Sequence, residues 1–418
     1  MRGESLTEST GMLYQWTSQL GTTTQLAMRL FERFRSEKRS ADLIILDDIF
    51  PHLLSSFRIA EFNAYLSAYE KAVVYSTAAA FPAIGEKRSF EKVCAEYDRR
   101  YPELSGRAGR LRHRTKLRGE LLYFVFLQNA RNFMDFLTTT KTPFVFTLYP
   151  GGGFQLNEPG SDATLRAVCS LPNLKKIITT QKLTHEYLLN FIEPDRAEFI
   201  YGGVFPSDQL TNTGTTKKYY GKEKATFDIC FVAFKYMPQG VDKGYPVFVE
   251  VARTLSRAHD DIRFHVVGPY DETDIDVAEL DGRIQFYGAR STDFFPEFYS
   301  RMDLMLAPTA PFLLLPGAFD GFPPGGCIEA GLCGVAIFCT DALQQNVTFK
   351  DGEEIVIITR DAQSICESIE HYYADYDGLI LLAERGQRAF HAAFGIEMQL
   401  EKRLRVLSEF LPSQTPTS

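Results

Sequence analysis

The chain is expected to fold as two doubly wound α/β domains that face each other across a cleft. Three observations lead there. Short apolar runs with the character of buried parallel strands alternate with helical segments. The alternation stops in a polar, glycine-containing stretch without period over residues 206–225, and then begins again. A length of 418 residues is also more than one compact core holds.

The elements follow in order. Residues 1–40 read as a helical extension, with apolar positions at Leu26, Leu30, Phe31 and Phe34. Residues 41–205 form the first domain. Its strands are expected over 42–46, 72–76, 121–127, 143–148 and 176–180, with Glu198–Tyr201 closing the half, and its helices over about 59–70, 90–101 and 129–138. The 206–225 linker leads to the second domain, 226–385. There, strands over 228–232, 263–267, 283–287 and 303–306 alternate with helices over 245–256 and 294–301, before a turn–helix–strand unit at 320–338 and a helix over 362–373. Residues 386–418 are read as C-terminal helices that cross back onto the first domain, with a break at Phe394-Gly395. Sheets of this kind bind ligands at the C-terminal ends of their strands, so the cleft is the expected site.

Composition narrows the function. A net charge of −8 argues against nucleic acid, whose binders need a basic footprint. No apolar run is long enough to span a bilayer and the first residues lack a signal-peptide core, so a cytoplasmic protein is expected. Seven scattered cysteines without a Cys-x-x-Cys pair suggest free buried thiols. One segment runs against the acidic average: residues 107–118 hold six Arg or Lys side chains. A solvated loop explains them; a patch facing anionic lipid headgroups or a phosphate-bearing acceptor is the alternative.

The most informative stretch is Asp320-Gly-Phe-Pro-Pro-Gly-Gly-Cys-Ile-Glu329. Two carboxylates flank a glycine-rich turn that opens a helix, where bare N–H groups of Gly325 and Gly326 can approach a diphosphate. Asp320 and Glu329 would then accept hydrogen bonds from hydroxyls at either end of a nucleotide-sugar. An ordinary turn–helix–strand unit is the plainer reading of the same residues. Lys235 and Lys243 follow the 228–232 strand, where cations can stabilise a departing diphosphate. Gly268, Gly288 and Thr309 stand at the ends of the next strands. Asp274-Ile-Asp276 lies in an acidic surface loop, histidines show no ligand spacing, and no metal site is expected.

In order as well as in local pattern, residues 228–405 resemble the C-terminal domain of GT-B glycosyltransferases, most of all the retaining family-4 type. The carrying residues are Lys243-Gly244, Val266-Val267-Gly268, Phe286-Tyr287-Gly288, Asp303-Leu-Met-Leu-Ala-Pro308 and the Asp320–Glu329 stretch. That family shows Glu-Gly-Phe-Gly and a second Glu; here Asp320 and Pro323 replace the first Glu and the last Gly, and Glu329 comes one position later. The resemblance implies that Asp320, with Gly321 and Phe322, holds donor-sugar hydroxyls. It gives the diphosphate to Lys243 and the Gly325-Gly326 amides, and the ribose to Glu329. Lys235 falls near a family Arg on the donor phosphate. No cofactor is implied beyond a nucleoside diphosphate sugar as donor substrate; the acceptor would be a glycan, glycolipid or protein hydroxyl in cell-surface glycan or glycoconjugate synthesis.

The first half matches less. Phe144-Val-Phe-Thr-Leu-Tyr149 runs into Pro150 and the triple glycine Gly151-Gly152-Gly153, a flexible loop at the cleft edge, and Tyr149 stands where the family carries His. A tyrosine can donate a hydrogen bond but is no base near neutral pH. Asp47, Asp48 and His52 follow the first strand; they either act on an acceptor hydroxyl or cap a turn and lie on the surface. An inverting enzyme would use Asp48 or His52 as base, and a non-catalytic scaffold of the same fold is the other rival. The apolar loop 309–319 is expected to pack in the core or on another subunit, with an apolar acceptor near the cleft as the alternative.

Overall fold

A computed structural model describes residues 41–112, 115 and 117–411. The expected N-terminal extension and three residues of the basic segment (His113, Arg114, Lys116) lie outside them.

Two parallel sheets organise the chain. The first has seven strands: β1 (Ala41–Asp47), β2 (Val73–Ser76), β3 (Ala108–Arg110), β4 (Gly119–Val125), β5 (Phe144–Leu148), β6 (Leu174–Thr179) and β7 (Ala197–Phe199), in the spatial order β3-β2-β1-β4-β5-β6-β7. The second has six: β8 (Phe227–Val232), β9 (Ile262–Val267), β10 (Ile284–Phe286), β11 (Leu304–Ala307), β12 (Ala336–Thr340) and β13 (Val356–Ile358), ordered β10-β9-β8-β11-β12-β13. Central strands are apolar on both faces because helices cover both; every residue of β5, β11 and β12 is buried. Strand order reverses between β1 and β4 in one sheet and between β8 and β11 in the other, and each reversal opens a crevice at the strand ends.

Some elements differ from the sequence reading. The segment expected as one helix over 129–138 is two short helices, Leu127–Asn132 and Met134–Thr139. The helices Pro159–Cys169 and Lys182–Leu188, and strands β3 and β13, have weak periodicity and were not anticipated. Within the polar 206–225 stretch, Ser207–Thr211 is helical, and Lys217 donates to the carbonyls of Tyr299 and Met302. That lysine is therefore part of the second domain's fabric, and burial pushes its pKa down to about 8.

Two C-terminal helices join the halves. Tyr376–Phe394 packs against the helix Gly325–Leu332, where a Cβ on Gly331 would sit 2.3 Å from the Phe390 ring. After Gly395 the chain turns into Ile396–Ser408, whose Val406 and Leu407 are buried among first-domain side chains. Its Arg403 is fully buried. The guanidinium donates to the Gly202 carbonyl (2.8 Å) and to Gln399, and lies 4.0 Å from the equally buried Glu61. Glu61 also accepts hydrogen bonds from Tyr65 (3.0 Å), Tyr149 (2.9 Å) and Tyr123.

The loop 309–319 divides. Phe319 is buried in the first domain's core, 6.0 Å from the Phe154 ring, and Leu156 donates its N–H to the Gly317 carbonyl. Phe312, Leu313 and Leu315 stay exposed. In the basic segment, Arg107 caps the carbonyls of Tyr69 and Ala72, and Arg112 pairs with Glu91. These cations have protein partners. No helix among the described residues is long and apolar enough to cross a membrane.

Removing one member of a buried ion pair strands the other. Arg403→Met should destabilise the protein by about 3–5 kcal/mol, and the Glu61→Gln/Arg403→Met double variant should recover a large part of that loss. Urea unfolding of the three proteins measures it; a single variant as stable as the parent contradicts the assignment.

Candidate active site

Loops from both strand-order reversals meet in a cleft of about 310 Å³. The first domain contributes Phe57, Phe126, Tyr149, Pro150, Thr180, Gln181 and the Gly202–Gly203 turn; the second contributes Phe231–Phe234, Tyr236, Lys243, Thr309, Asp320, Gly321 and Pro323–Gly326.

Lys243 precedes Gly244, whose left-handed backbone (φ +80°) starts the helix Tyr245–Ala258 tight against the Pro308 carbonyl. That turn leaves the lysine facing the cleft. Its Nζ donates to both oxygens of Asp320, at 2.7 and 2.6 Å, and lies 5.1 Å from the centroid of the Tyr236 ring. Burial opposes the charge, but Asp320 more than compensates and holds the ammonium above the ordinary lysine range. Beside it, burial raises the carboxyl of Asp242, whose Oδ1 has no partner among the described residues.

The helix Gly325–Leu332 points its N-terminus into the same cleft. The first amides of a helix have no intrahelical acceptor and favour an anion. Its two glycines serve different ends. A Cβ on Gly326 would lie 2.8 Å from the Val232 carbonyl, so this residue lets the helix close on β8; Gly325 meets only the Phe205 ring at 3.6 Å. Glu329, one turn along, is buried outside the cleft lining, where it accepts a 2.7 Å hydrogen bond from Ser56 of the first domain. Burial pushes its carboxyl up to about 7, against the opposing bond from Ser56.

Other residues singled out in the sequence stand as follows. Thr309 and Gly321 line the cleft. Phe322 instead buries its ring, and its carbonyl accepts from Gln181 (3.2 Å) and Tyr201 (2.9 Å), tying the domains together. Gly268 and Gly288 lie outside the lining, linked by an N–H···O bond of 3.1 Å between strand ends. Lys235 is drawn away by Asp274, at 2.7 and 2.8 Å. Asp48 is held by Arg58 (2.7 Å) and His52 by Glu86 (2.9 Å), and neither lines the cleft. Asp47, fully buried, takes the amides of Ile49 and Phe50; burial raises it to about 6 despite Arg58.

Tyr149 does line the cleft. Its hydroxyl donates to Glu61, and burial pushes its pKa far up, so it acts as a donor and a wall. The triple glycine is a tight left-handed turn rather than a flexible loop: all three have positive φ, and a Cβ on Gly152 would meet the Phe126 ring at 2.2 Å. Ser56, Phe57, Thr180 and Gln181 were not singled out from the sequence. Thr180-Gln181 carried the one available signal, a position at the C-terminal end of an anticipated strand.

The Glu329 carboxyl makes a testable contribution to stability. With its pKa raised from 4.5 to about 7, the folded chain binds this proton more tightly than the unfolded chain does. Stability from this group is therefore highest at acid pH and falls as pH rises from about 4.5 to 7, by up to about 3 kcal/mol. Glu329→Gln should lack that component, so urea midpoints at pH 5 and pH 7.5 should move apart less in the variant. Parallel shifts in the two proteins contradict it.

Comparison with known proteins agrees with this geometry. Residues 227–375 match the family model described as glycosyl transferases group 1. No curated protein matches the chain in sequence. Among solved structures, a glycosyltransferase from Rickettsia africae is similar over 90% of this chain and 100% of its own, with a TM-score of 0.62 at 16% identity. Anabaena HepE in complex with UDP and glucose is similar over 88% and 99%, with a TM-score of 0.61 at 14% identity. A trehalose-6-phosphate protein from E. coli bound with UDP-2-fluoro glucose is similar over 89% and 100%, with a TM-score of 0.56 at 10% identity. Residues 227–375 are thus similar to the glycosyl transferases group 1 model, and the chain as a whole has the two-domain GT-B fold of these solved glycosyltransferases.

Proposed function

We propose that the protein moves a sugar from a nucleoside diphosphate sugar to a hydroxyl acceptor, with retention of anomeric configuration and no metal cofactor. The observation that carries this reading is the Lys243–Asp320 pair beside the N-terminus of the Gly325–Leu332 helix, in one cleft lined by both domains. In the empty cleft each charge neutralises the other. A donor exchanges like for like: its diphosphate replaces Asp320 on Lys243 and meets the free helix amides, while its sugar hydroxyls take up the released Asp320 carboxylate. Glu329, uncoupled from Ser56, accepts from the ribose. Lys243 and the amides then oppose the charge that builds on the departing diphosphate, the step at which electrostatic stabilisation lowers the barrier.

Retention is favoured by what the lining offers. An inverting transfer needs a base on the acceptor side. Among the described lining residues the sole carboxylate is Asp320, which belongs to the donor side, and Asp48 and His52 are held elsewhere by Arg58 and Glu86. With no such base, the departing diphosphate would take the acceptor's proton. Two of the structures similar in fold hold UDP or a UDP-sugar analogue, which makes UDP-glucose the first donor to test. A role in cell-surface glycan or glycoconjugate synthesis on the cytoplasmic side extends the family resemblance.

Calorimetry and turnover with a panel of nucleoside diphosphate sugars test the reading. The parent should bind at least one donor. Lys243→Ala should lower turnover by about 10²- to 10³-fold, and Glu329→Ala should weaken donor binding. Variants that bind every donor as the parent does would sink the site assignment, and a parent that binds none would favour a scaffold. NMR of the product anomer decides retention against inversion.

A further inference from the structure

We propose that Asp242 is the second counter-ion of Lys243 and couples donor binding to the uptake of a proton: it is ionised while Lys243 balances it and becomes protonated when a diphosphate claims the ammonium. This rests on the reading of the cleft as a donor site and gives that site a pH dependence.

The ammonium of Lys243 lies between two carboxylates in unlike surroundings. Asp320 holds it by two hydrogen bonds, lines the cleft and has a side chain 40% exposed. Asp242 stands outside the cleft lining with a side chain 5% exposed, its Oδ2 3.9 Å from Nζ. The other oxygen, Oδ1, has no hydrogen-bond partner among the described residues. A buried carboxylate so placed keeps its charge only through a nearby cation. Among the described residues Lys243 is the sole cation within ion-pair distance of it.

Asp242 is also fixed where it is. Its carbonyl accepts the Ala310 N–H at 2.9 Å, and Arg360 donates to the preceding Val241 carbonyl at 3.2 Å. On the other side the turn rests on Tyr270, whose ring a Cβ on Gly240 would meet at 2.6 Å. The titratable and charged groups that face Asp242 are therefore Lys243, Asp320, Tyr236 and Tyr270, with Arg360 behind the turn. Asp320 can exchange Lys243 for another partner; Asp242 cannot.

In this structure one cation serves two carboxylates. A nucleoside diphosphate sugar brings two negative charges to that cation while Asp320, open to solvent, moves to the sugar hydroxyls. Asp242 then faces the diphosphate with its one counter-ion shared. Burial and like-charge repulsion both favour the protonated form. Burial already raises this carboxyl above the usual range, against the pull of Lys243. The donor-bound protein thus holds the proton more tightly than the free protein does, so donor affinity rises as pH falls.

Calorimetry of UDP-glucose binding at pH 6, in two buffers of different ionisation enthalpy, counts the protons. The parent should take up more than Asp242→Asn, by up to about one proton, and between pH 7.5 and 5.5 its affinity should gain on the variant's by up to about tenfold per pH unit. Glu329 titrates in the same range in both proteins, so the difference isolates Asp242. Equal proton counts overturn the proposal. A second arm uses no ligand. Lys243→Met removes the charge that a diphosphate would neutralise, so its urea stability relative to the parent should fall more at pH 7.5 than at pH 5.5; in Lys243→Met/Asp242→Asn that extra loss should vanish. A loss that persists in the double variant belongs to Asp320 and overturns the coupling, as does a loss independent of pH. A parent that binds no UDP-glucose counts against the donor reading, and the unfolding arm still decides the coupling of Asp242 to Lys243.

Discussion

A carboxylate and a guanidinium sealed from water, Glu61 and Arg403, set the frame on which the cleft depends. Burying two charges is costly unless their remaining atoms find partners. Here Glu61 is surrounded by the hydroxyls of Tyr65, Tyr123 and Tyr149, and Arg403 by the Gly202 carbonyl and Gln399. Apart from Gln399, which shares the helix of Arg403, those partners come from the helix Ser56–Ala68, from β4, from the residue after β5 and from the turn after β7. The network therefore fixes the last described helix onto the first domain and, through Tyr149 and Gly202, shapes one wall of the cleft. Because the preceding helix carries Phe390 against Gly331, the helix Gly325–Leu332 is tied mechanically to the same network.

Within that frame, contacts inside the protein occupy polar groups in and around the cleft. Lys243 with Asp320, Ser56 with Glu329 and Gln181 with the Phe322 carbonyl are all contacts that a ligand with complementary groups could take over. Exchanging one hydrogen bond for another changes the net free energy little, so such contacts can give way to a ligand at small cost. The second and third of these bonds cross between domains, which couples ligand entry to domain separation.

The fold was legible because its strands are apolar on both faces, a signal that survives without any partner information. The expected parallel α/β halves follow from it. The edge strands β3 and β13 were not legible, although the equally short edge strands β7 and β10 were expected over 198–201 and 283–287. On the site, the rule that ligands gather at strand ends located Lys243, Thr309, Asp320, Tyr149 and Gly325 in one cavity. The same rule also pointed to Lys235, Asp48 and His52, which do not line that cavity. All three follow strand ends, but each has an opposite charge that folding brings within hydrogen-bond distance: Asp274, Arg58 and Glu86. A charged side chain in a sequence does not display its partner. A residue such as Ser56 carried no signature at all, because the carboxylate that marks it out, Glu329, is far away in the chain.

The spacing of Asp320 and Glu329 illustrates how sequence irregularity is resolved in three dimensions. The stretch between them holds Pro323 and Pro324, and Pro324 caps the helix in an extended conformation (φ −55°, ψ 151°). Proline fixes that geometry and offers no N–H, so the added residue is absorbed in an extended lead-in before the first helical turn and the helix itself is unaltered. Glu329 thus keeps its place relative to Gly325, on the face buried against the first domain, while Asp320 is set by a different anchor, the ammonium of Lys243. Two carboxylates that look like one motif are positioned independently: one by helix packing, the other by an ion pair. A change in the linker between them would therefore move Asp320 along the cleft wall without disturbing Glu329.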